Sequence, residues 1–192
     1  MIAAAALEQL PPPGPPEVAF AGRSNAGKSS AINALAGRNR LAFASRTPGR
    51  TQQIVLFGLP GGSIVADLPG YGYAAVPKAV KRAWQDVLAS YVATRPSLVA
   101  LALVVDARHG LKPLDFALLD GFLPSGRPVM VLATKSDKLT RSESARAAAA
   151  IRAQLAERYP GQASNVAVIP FSATARTGLL EADAILAGWL AA

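Results

Sequence analysis

Short runs of apolar residues alternate along the chain with longer stretches in which apolar residues recur every three or four positions. A short apolar run bounded by glycine, proline or charge is typical of a buried strand, and the longer spacing is typical of an amphipathic helix. We therefore predict strands at residues 18–20, 53–57, 63–66, 98–105, 128–133 and 166–169. We predict helices at residues 28–36, 78–94, 113–123, 141–158 and 178–190.

The order of these elements indicates an α/β fold. Strands that alternate with helices form a mostly parallel sheet with helices on both faces, here with six strands. Only the second and third strands lack a helix between them, and the short link at residues 59–62 predicts one antiparallel edge strand. The proline-rich stretch before Glu17 predicts a flexible, extended lead-in over residues 1–16 and a single domain over residues 17–192.

The net charge points to a polyanionic partner. Of the 192 residues, 20 are Lys or Arg and 12 are Asp or Glu, which gives a formal charge of +8. Such an excess is typical of proteins that bind nucleic acid, although a chain rich in alanine and glycine can be arginine-rich without one. The basic residues crowd three predicted loop regions: Arg38, Arg40, Arg46 and Arg50; Lys78, Lys81 and Arg82; and Arg108, His109 and Lys112.

Several functional classes are excluded or disfavoured by composition. The longest aliphatic run, residues 98–105, ends at Asp106, far short of the roughly 20 residues that span a bilayer. The first seven residues carry no Lys or Arg, which matches a secretory signal poorly. The chain has no cysteine, which excludes disulfides, thiolate metal sites and cysteine nucleophiles. We expect a cytoplasmic monomer that does not bind membranes.

The octapeptide GRSNAGKS, residues 22–29, lies between the first predicted strand and the first predicted helix. Its glycines permit a tight turn, so that successive N–H groups can point at a β-phosphate with a helix N-terminus behind them. Lys28 would reach the β- and γ-phosphates and Ser29 would ligate Mg²⁺. We therefore predict a phosphate-binding loop made of Gly22, Arg23, Ser24, Asn25, Ala26, Gly27, Lys28 and Ser29.

A second candidate segment, Asp67-Leu68-Pro69-Gly70, follows the third predicted strand. Ligands bind open α/β sheets at the carboxyl ends of strands, so this segment should lie near the phosphate loop. Asp67 could hold Mg²⁺ through a water molecule, and the Gly70 N–H could meet the γ-phosphate. Taken alone, the segment reads as an ordinary turn; its position after a phosphate loop favours the nucleotide role.

Two further segments indicate which base is bound. Thr134, Lys135, Ser136 and Asp137 follow the fifth predicted strand, and Phe171, Ser172 and Ala173 follow the sixth. An aspartate carboxylate only accepts hydrogen bonds, so Asp137 can pair with the N1–H and the amino group of guanine, whereas adenine offers no such pair of donors. Lys135 can lie along the base, and the last segment can supply a backbone N–H for the guanine oxygen. These segments predict guanine nucleotide binding.

The order of GRSNAGKS, SRTPGRTQ, DLPGYGYA, TKSD and FSA resembles the translation-factor-class, Ras-like GTPases. The stretches EVAFAGRSN, TPGRTQ, VDARHG and TKSDKLTRSE are similar to the EngB (YihA, YsxC) family of bacterial ribosome-assembly GTPases in particular. The resemblance implies a three-layer, Ras-like P-loop GTPase domain with GTP or GDP as ligand and Mg²⁺ as cofactor. It also implies ribosomal RNA and a large-subunit precursor as partners, not DNA, and a role in cell division and septation.

The resemblance also assigns roles to residues. Ser29 and Thr51 would ligate Mg²⁺, with Asp67 acting through water, and the first switch would contact the nucleotide through Gly49, Arg50, Thr51, Gln52 and Gln53. Lys28, Thr51, Gly70 and Asn25 would serve catalysis. The chain departs from the wider GTPase pattern at Thr134, where Asn is more usual, and at residues 173–176, where the family more often has Ser-Leu-Lys-Lys.

Hydrolysis should be slow without help, because Tyr71 stands where many GTPases place a water-orienting glutamine. Asn25 is similar to the phosphate-loop asparagine of potassium-activated GTPases, which makes K⁺ a candidate cofactor; the alternative is an asparagine that only serves the geometry of the turn. Arg46, Arg50 or a ribosomal group could act instead. The alternative function is that of a P-loop phosphotransferase or ATPase with a small-molecule acceptor; Asp137 and the lack of an acceptor domain argue against it.

Overall fold

A computed structural model describes residues 1–37, 53–72 and 78–191 of the protein, with the backbone alone for residues 78–84. The strands are β1 (Ile2–Ala4), β2 (Glu17–Gly22), β3 (Ile54–Gly58), β4 (Ile64–Asp67), β5 (Leu98–Asp106), β6 (Val129–Thr134) and β7 (Val166–Pro170). The α-helices are α1 (Lys28–Leu35), α2 (Lys78–Thr94), α3 (Pro113–Phe122), α4 (Arg141–Arg158) and α5 (Leu179–Leu190).

The strands form one sheet in the order β1-β3-β4-β2-β5-β6-β7. Pairing is parallel from β4 through β2, β5 and β6 to β7, and β3 runs antiparallel to β4. The predicted α/β class, the mostly parallel sheet and the antiparallel strand are confirmed. The predicted strand count of six is wrong by one, because β1 adds a seventh strand and replaces β3 at the edge.

Residues 2–4 of the amino-terminal segment therefore belong to the sheet, and not to the flexible, extended lead-in predicted for residues 1–16. Ile2 pairs with Leu56 and Ala4 with Ile54, so the sheet begins at β1 and not near Val18. A short 3-10 turn follows at Leu7–Gln9. Three residues are too few to show periodicity, and the backbone bonds that hold an edge strand demand no particular side chains. The sequence pattern consequently gave no signal for β1.

Helices cover both faces of the sheet, as predicted. In β5, Leu101, Leu103 and Val105 belong to one buried apolar cluster, and Ala102 and Val104 belong to the other. The first cluster packs under α2, α3 and α4, and the second packs under α1 and α5. Because both faces are buried, β5 reads as a continuous apolar run with no polar alternation. Among the described residues, no helix has the length and apolar character needed to cross a membrane.

A buried polar cluster lies at the amino ends of the parallel strands. Glu17 begins β2 and is 0% exposed. It accepts hydrogen bonds from Tyr91 Oη at 2.7 Å, from Ser97 Oγ at 2.8 Å and from the guanidinium of Arg95. Burial raises the pKa of Glu17, but the bonds from Arg95, Tyr91 and Ser97 together hold it below its usual value. We call these four residues the Glu17 cluster. Arg95 also donates to the Pro11 carbonyl at 2.8 Å, which anchors the amino-terminal segment.

Candidate functional site

The phosphate loop connects β2 to α1 at the carboxyl edge of the sheet. Gly27 is the N-cap of α1 with a φ of 98°, and Asn25 also has a left-handed φ of 65°. A Cβ at Gly22 would lie 2.5 Å from the Val104 carbonyl oxygen, so only glycine fits there beside β5. The first N–H groups of α1 have no carbonyl within the helix to bind and are suited to an anion.

Lys28 and Asp67 form an ion pair, although they lie 39 positions apart in sequence. Lys28 begins α1 and Asp67 ends β4, which is parallel to β2, so both side chains reach the same edge. Their side chains are only 11% and 13% exposed. Ser29 follows Lys28 and is half-buried. A hydroxyl and a carboxylate suit Mg²⁺, which is usually held by few protein oxygens together with phosphate oxygens.

The segment from Leu68 to Tyr71 lies directly against the phosphate loop. The Leu68 N–H donates to the Phe20 carbonyl at 3.0 Å, and the Ser24 N–H donates to the Tyr71 carbonyl at 2.8 Å. A Cβ at Gly70 would lie 3.2 Å from Ser24 Oγ. The Leu68 side chain is buried in the core and Pro69 is buried as well, so the side chain of Leu68 is not available to a ligand. Gly70 is thus in close contact with the loop that would hold phosphate.

The side chain of Tyr71 is buried. Its hydroxyl donates to Asp115 Oδ1 at 2.6 Å, and Asp115 Oδ2 accepts from the Lys112 N–H at the start of α3 at 2.8 Å. Burial, followed by the neighbouring Asp115 carboxylate, raises the pKa of Tyr71 well above its usual value. Burial also raises the pKa of Asp115. The proton of the Tyr71 hydroxyl is thus committed to Asp115.

Thr134 and Lys135 join the predicted base-reading loop to the phosphate loop. The buried Thr134 hydroxyl lies within hydrogen-bonding distance of the Ala26 carbonyl and, at 3.1 Å, of the Val105 carbonyl. Lys135 Nζ donates to the Asn25 carbonyl at 2.6 Å. Threonine can therefore replace the more usual asparagine here, because its hydroxyl reaches the backbone of the phosphate loop.

Asp106 is part of this site, and the sequence analysis did not select it. Its carboxylate pairs with Lys135 Nζ at 2.9 Å and with the guanidinium of Arg108 at 2.7 Å. Burial raises the pKa of Asp106, but the bonds from Arg108 and Lys135 together hold it well below its usual value. Asp106 ends β5 at the carboxyl edge of the sheet, and that position was the signal that could have identified it.

Asp137 is held by the loop that follows β7. Ser172 Oγ donates to Asp137 Oδ1 at 2.7 Å, and Lys138 Nζ lies 3.2 Å from Oδ2. The Ser172 bond and then Lys138 lower the pKa of Asp137, so its carboxylate is ionised and accepts hydrogen bonds at neutral pH. The Ser136 N–H donates to the Phe171 carbonyl at 3.2 Å, which connects the two loops a second time.

In these two loops, burial limits which atoms of the predicted binding residues could contact a ligand. The Phe171 side chain is 0% exposed, so its contribution would come from the backbone. Ser136 Oγ is buried and has no hydrogen-bond partner among the described residues. Ala173 is half-buried beside Ser172. The predicted contact of Ala173 with a guanine oxygen stays a prediction.

The predicted first switch falls mostly outside the described residues. Gly49, Arg50, Thr51 and Gln52 lie there, as do Arg38, Arg40 and Arg46, and their predicted roles stay predictions. Gln53 is described and exposed, immediately before β3. The described part of the site comes from four segments: residues 22–29, 67–70, 134–137 and 171–173.

A phosphate loop in contact with an Asp-x-Pro-Gly turn, and braced by a Thr-Lys-x-Asp loop, defines a P-loop GTPase domain. A profile of the family described as 50S ribosome-binding GTPase matches residues 17–135. The chain is 53% identical over 181 residues to a probable GTP-binding protein EngB of Azoarcus sp. (strain BH72), covering 94% of this chain and 85% of the relative. A Burkholderia thailandensis protein of the same name is 52% identical over 189 residues, covering 96% of this chain and 86% of the relative. The chain belongs to the EngB family of GTP-binding proteins.

Solved structures agree on the fold. The crystal structure of a probable GTP-binding protein engB has a TM-score of 0.68 at 22% identity, covering 91% of this chain and 98% of the other. Era in complex with MgGDPNP and a fragment of 16S ribosomal RNA has a TM-score of 0.65 at 19% identity, covering 92% of this chain and 57% of the other. At these identities the likeness establishes the fold alone.

Proposed function

We propose that the protein is a guanine-nucleotide switch that hydrolyses GTP slowly and acts in the cytoplasm on a precursor of the large ribosomal subunit. The observation that carries the guanine assignment is the position of the Asp137 carboxylate, which accepts a hydrogen bond from Ser172 Oγ at 2.7 Å and lies 3.2 Å from Lys138 Nζ. Adenine offers this carboxylate no pair of N–H donors on its Watson–Crick edge, so it should bind more weakly than guanine.

The described residues support separate roles in binding the phosphates, the metal ion and the base. Lys28 would move from Asp67 to the phosphates, and Ser29, Thr51 and, through water, Asp67 would hold Mg²⁺. Bound there, Mg²⁺ neutralises charge on the phosphate oxygens. Gly70 lies against Ser24 of the phosphate loop, and its N–H would report whether a γ-phosphate is present. Thr134 and Lys135 keep that loop in shape through the backbone of Ala26 and Asn25.

Slow hydrolysis is supported by Tyr71, which stands where many GTPases have a water-orienting glutamine and whose hydroxyl donates to Asp115. Activation would come from the ribosome, or from K⁺ near Asn25. Turnover measured in KCl and in NaCl tests the second source, because Na⁺ matches its charge but not its size.

A ribosomal partner is supported by the family to which the chain belongs and by the net charge of +8. Among structures with this fold, Era carries ribosomal RNA. The roles in cell division and septation would be indirect, because loss of the protein would leave the cell short of mature ribosomes. The alternative, a phosphotransferase or ATPase with a small-molecule acceptor, predicts adenine binding and label transfer to a metabolite.

The test is calorimetry with guanine, adenine and xanthine nucleotides in the presence of Mg²⁺. Asp137→Asn should lower guanine affinity at least tenfold and raise xanthine affinity, because the amide can donate to the xanthine oxygen. Asp183→Asn, an exposed aspartate on α5, is the matched control and should change neither. Equal wild-type affinity for adenine and guanine nucleotides would reject the proposal.

A further inference from the structure

A cavity of about 230 Å³ lies beside the phosphate loop, on the side that faces the loop after β5 and the start of α3. Its charged and polar walls include Arg23, Asn25, Arg108, His109, Asp115 and Lys135. Among the described residues, Lys28, Ser29 and Asp67 do not line this cavity. The pair formed by Asp137 and Ser172 does not line it either. The cavity shares Arg23, Ser24, Asn25, Ala26 and Lys135 with the predicted nucleotide site, so it adjoins that site without including Lys28, Ser29 or Asp67.

The acidic groups of this cavity are already satisfied by the protein. Asp106 is paired with Arg108 and Lys135, and Asp115 accepts from the Tyr71 hydroxyl and the Lys112 N–H. Arg23 forms no ion pair with any other residue that the structure describes. Its guanidinium is close enough to Asp115 to stabilise that carboxylate, but its N–H donors form no ion pair among the described residues and can bind an incoming anion.

His109, in the loop after β5, adds a further basic side chain to the wall of the cavity. It is exposed and lines the cavity, and its backbone N–H donates to the Asp106 carbonyl at 2.9 Å in the turn after β5. An imidazole N–H donates in either protonation state. Arg23 and His109 thus offer donors from two loops to the same volume.

The size of the cavity limits what can enter it. Sites for whole small-molecule ligands usually measure roughly 300–1,000 Å³, so 230 Å³ is small for a second nucleotide. A phosphodiester group, with part of its sugar, is a better match. Arginine suits phosphate oxygens because its planar donors fit them two at a time.

We propose that this cavity, between Arg23 on one side and Arg108 and His109 on the other, receives a backbone phosphate of RNA. The inference rests on the proposed function, because it takes ribosomal RNA as the partner. The bound phosphate would lie next to the second switch, since Arg23 pairs with Tyr71 in an isolated parallel bridge. RNA docking and the position of Gly70 would then act on the same short piece of chain.

The test compares His109→Glu with Gln154→Glu, which makes the same change of charge at an exposed site on α4. Binding to large ribosomal subunits, with a non-hydrolysable GTP analogue present, is measured over a range of salt concentrations. His109→Glu should weaken binding about five- to tenfold and reduce the slope of log K against log salt by about one unit, as expected for the loss of one phosphate contact. Gln154→Glu should behave as wild type, and both should keep wild-type affinity for GDP.

Each other result rejects a specific claim. Wild-type protein that binds no ribosomal particle in any nucleotide state would overturn the proposed function, and the cavity proposal with it. Normal wild-type binding that His109→Glu leaves unchanged would overturn the cavity proposal alone. If His109→Glu weakens binding to intact subunits but not to their protein-free RNA, the group that enters the cavity belongs to a ribosomal protein, and the RNA assignment is wrong.

Discussion

The two ends of the parallel strands both carry ion pairs, but the pairs differ in how completely the protein satisfies them. At the amino ends, Glu17 is 0% exposed, and Arg95, Tyr91 and Ser97 fill its acceptor positions. At the carboxyl ends, the side chain of Asp67 is 13% exposed and that of Lys135 is 32% exposed. A closed network has no place for a ligand, whereas an open one can exchange a protein partner for a phosphate or a metal ion.

The comparison teaches where stability and function are separated in this fold. Breaking a closed, buried pair leaves a charge with neither a partner nor water, which is costly. Breaking a pair that water reaches costs less stability. It can still displace the neighbouring residue that the pair held in position. Mutations at the two ends should therefore change different measured quantities.

The largest expected effect is on stability, at the amino ends. Glu17→Ala should lower the free energy of unfolding by about 3–5 kcal/mol, because Arg95 is left buried without its partner. Urea unfolding measures this loss, and GDP affinity per folded molecule should stay at the wild-type value. Asp120→Ala is the control, since it removes an exposed pair with Arg158 and should cost less than about 1 kcal/mol. Equal losses for the two variants would contradict the prediction.

The next effect is on nucleotide affinity, at the carboxyl ends. Asp106→Ala removes the carboxylate that holds Lys135, and we expect weaker GDP binding by about 1–2 kcal/mol, or roughly five- to thirtyfold. Calorimetry measures the affinity, and urea unfolding should show a smaller loss than for Glu17→Ala. If Asp106→Ala binds GDP as wild type does, Lys135 is positioned by the Asn25 carbonyl alone.

The smallest expected effect is a pH dependence of the free energy of unfolding, caused by Glu17 at the amino ends of the parallel strands. The folded pKa of Glu17 lies below its usual value of 4.5, so the folded state binds fewer protons than the unfolded state in acid. The stability from Glu17 is fully present above pH 4.5 and is lost as the pH falls through the folded pKa, with a slope of up to about 1.4 kcal/mol per pH unit. Urea unfolding measured from about pH 6 to about pH 3 should show that the free energy of unfolding falls less steeply with decreasing pH for Glu17→Gln than for wild type. Parallel curves would show that Glu17 does not titrate differently on folding.

Much of the fold was accessible from the sequence because its signals are local. The boundaries of the six predicted strands and five predicted helices agree with the structure within two residues. Buried parallel strands such as β5 are long apolar runs, and the helices between them are amphipathic. The segments at 22–29 and 134–137 follow predicted strand ends, and the structure brings them into contact, while their roles in binding a nucleotide stay predictions.

The missed features depend on contacts between distant segments. Glu17 precedes an apolar run and looks like a boundary residue, yet its partners Tyr91 and Arg95 come 74 and 78 positions later. Asp106 looks like the end of a strand, and its pairing with Lys135 is visible only when β5 and β6 lie side by side. The strand β1 left no pattern because its backbone, not its side chains, makes the pairing.

The pairing of β1 with β3 has a practical consequence for shortened versions of this protein. A chain that starts at Glu17 would keep every sequence motif but leave the outer N–H and C=O groups of β3 without partners, and Arg95 without the Pro11 carbonyl. An uncovered strand edge can pair with the same edge of another molecule. Trimming the proline-rich segment to aid crystallisation would therefore favour aggregation.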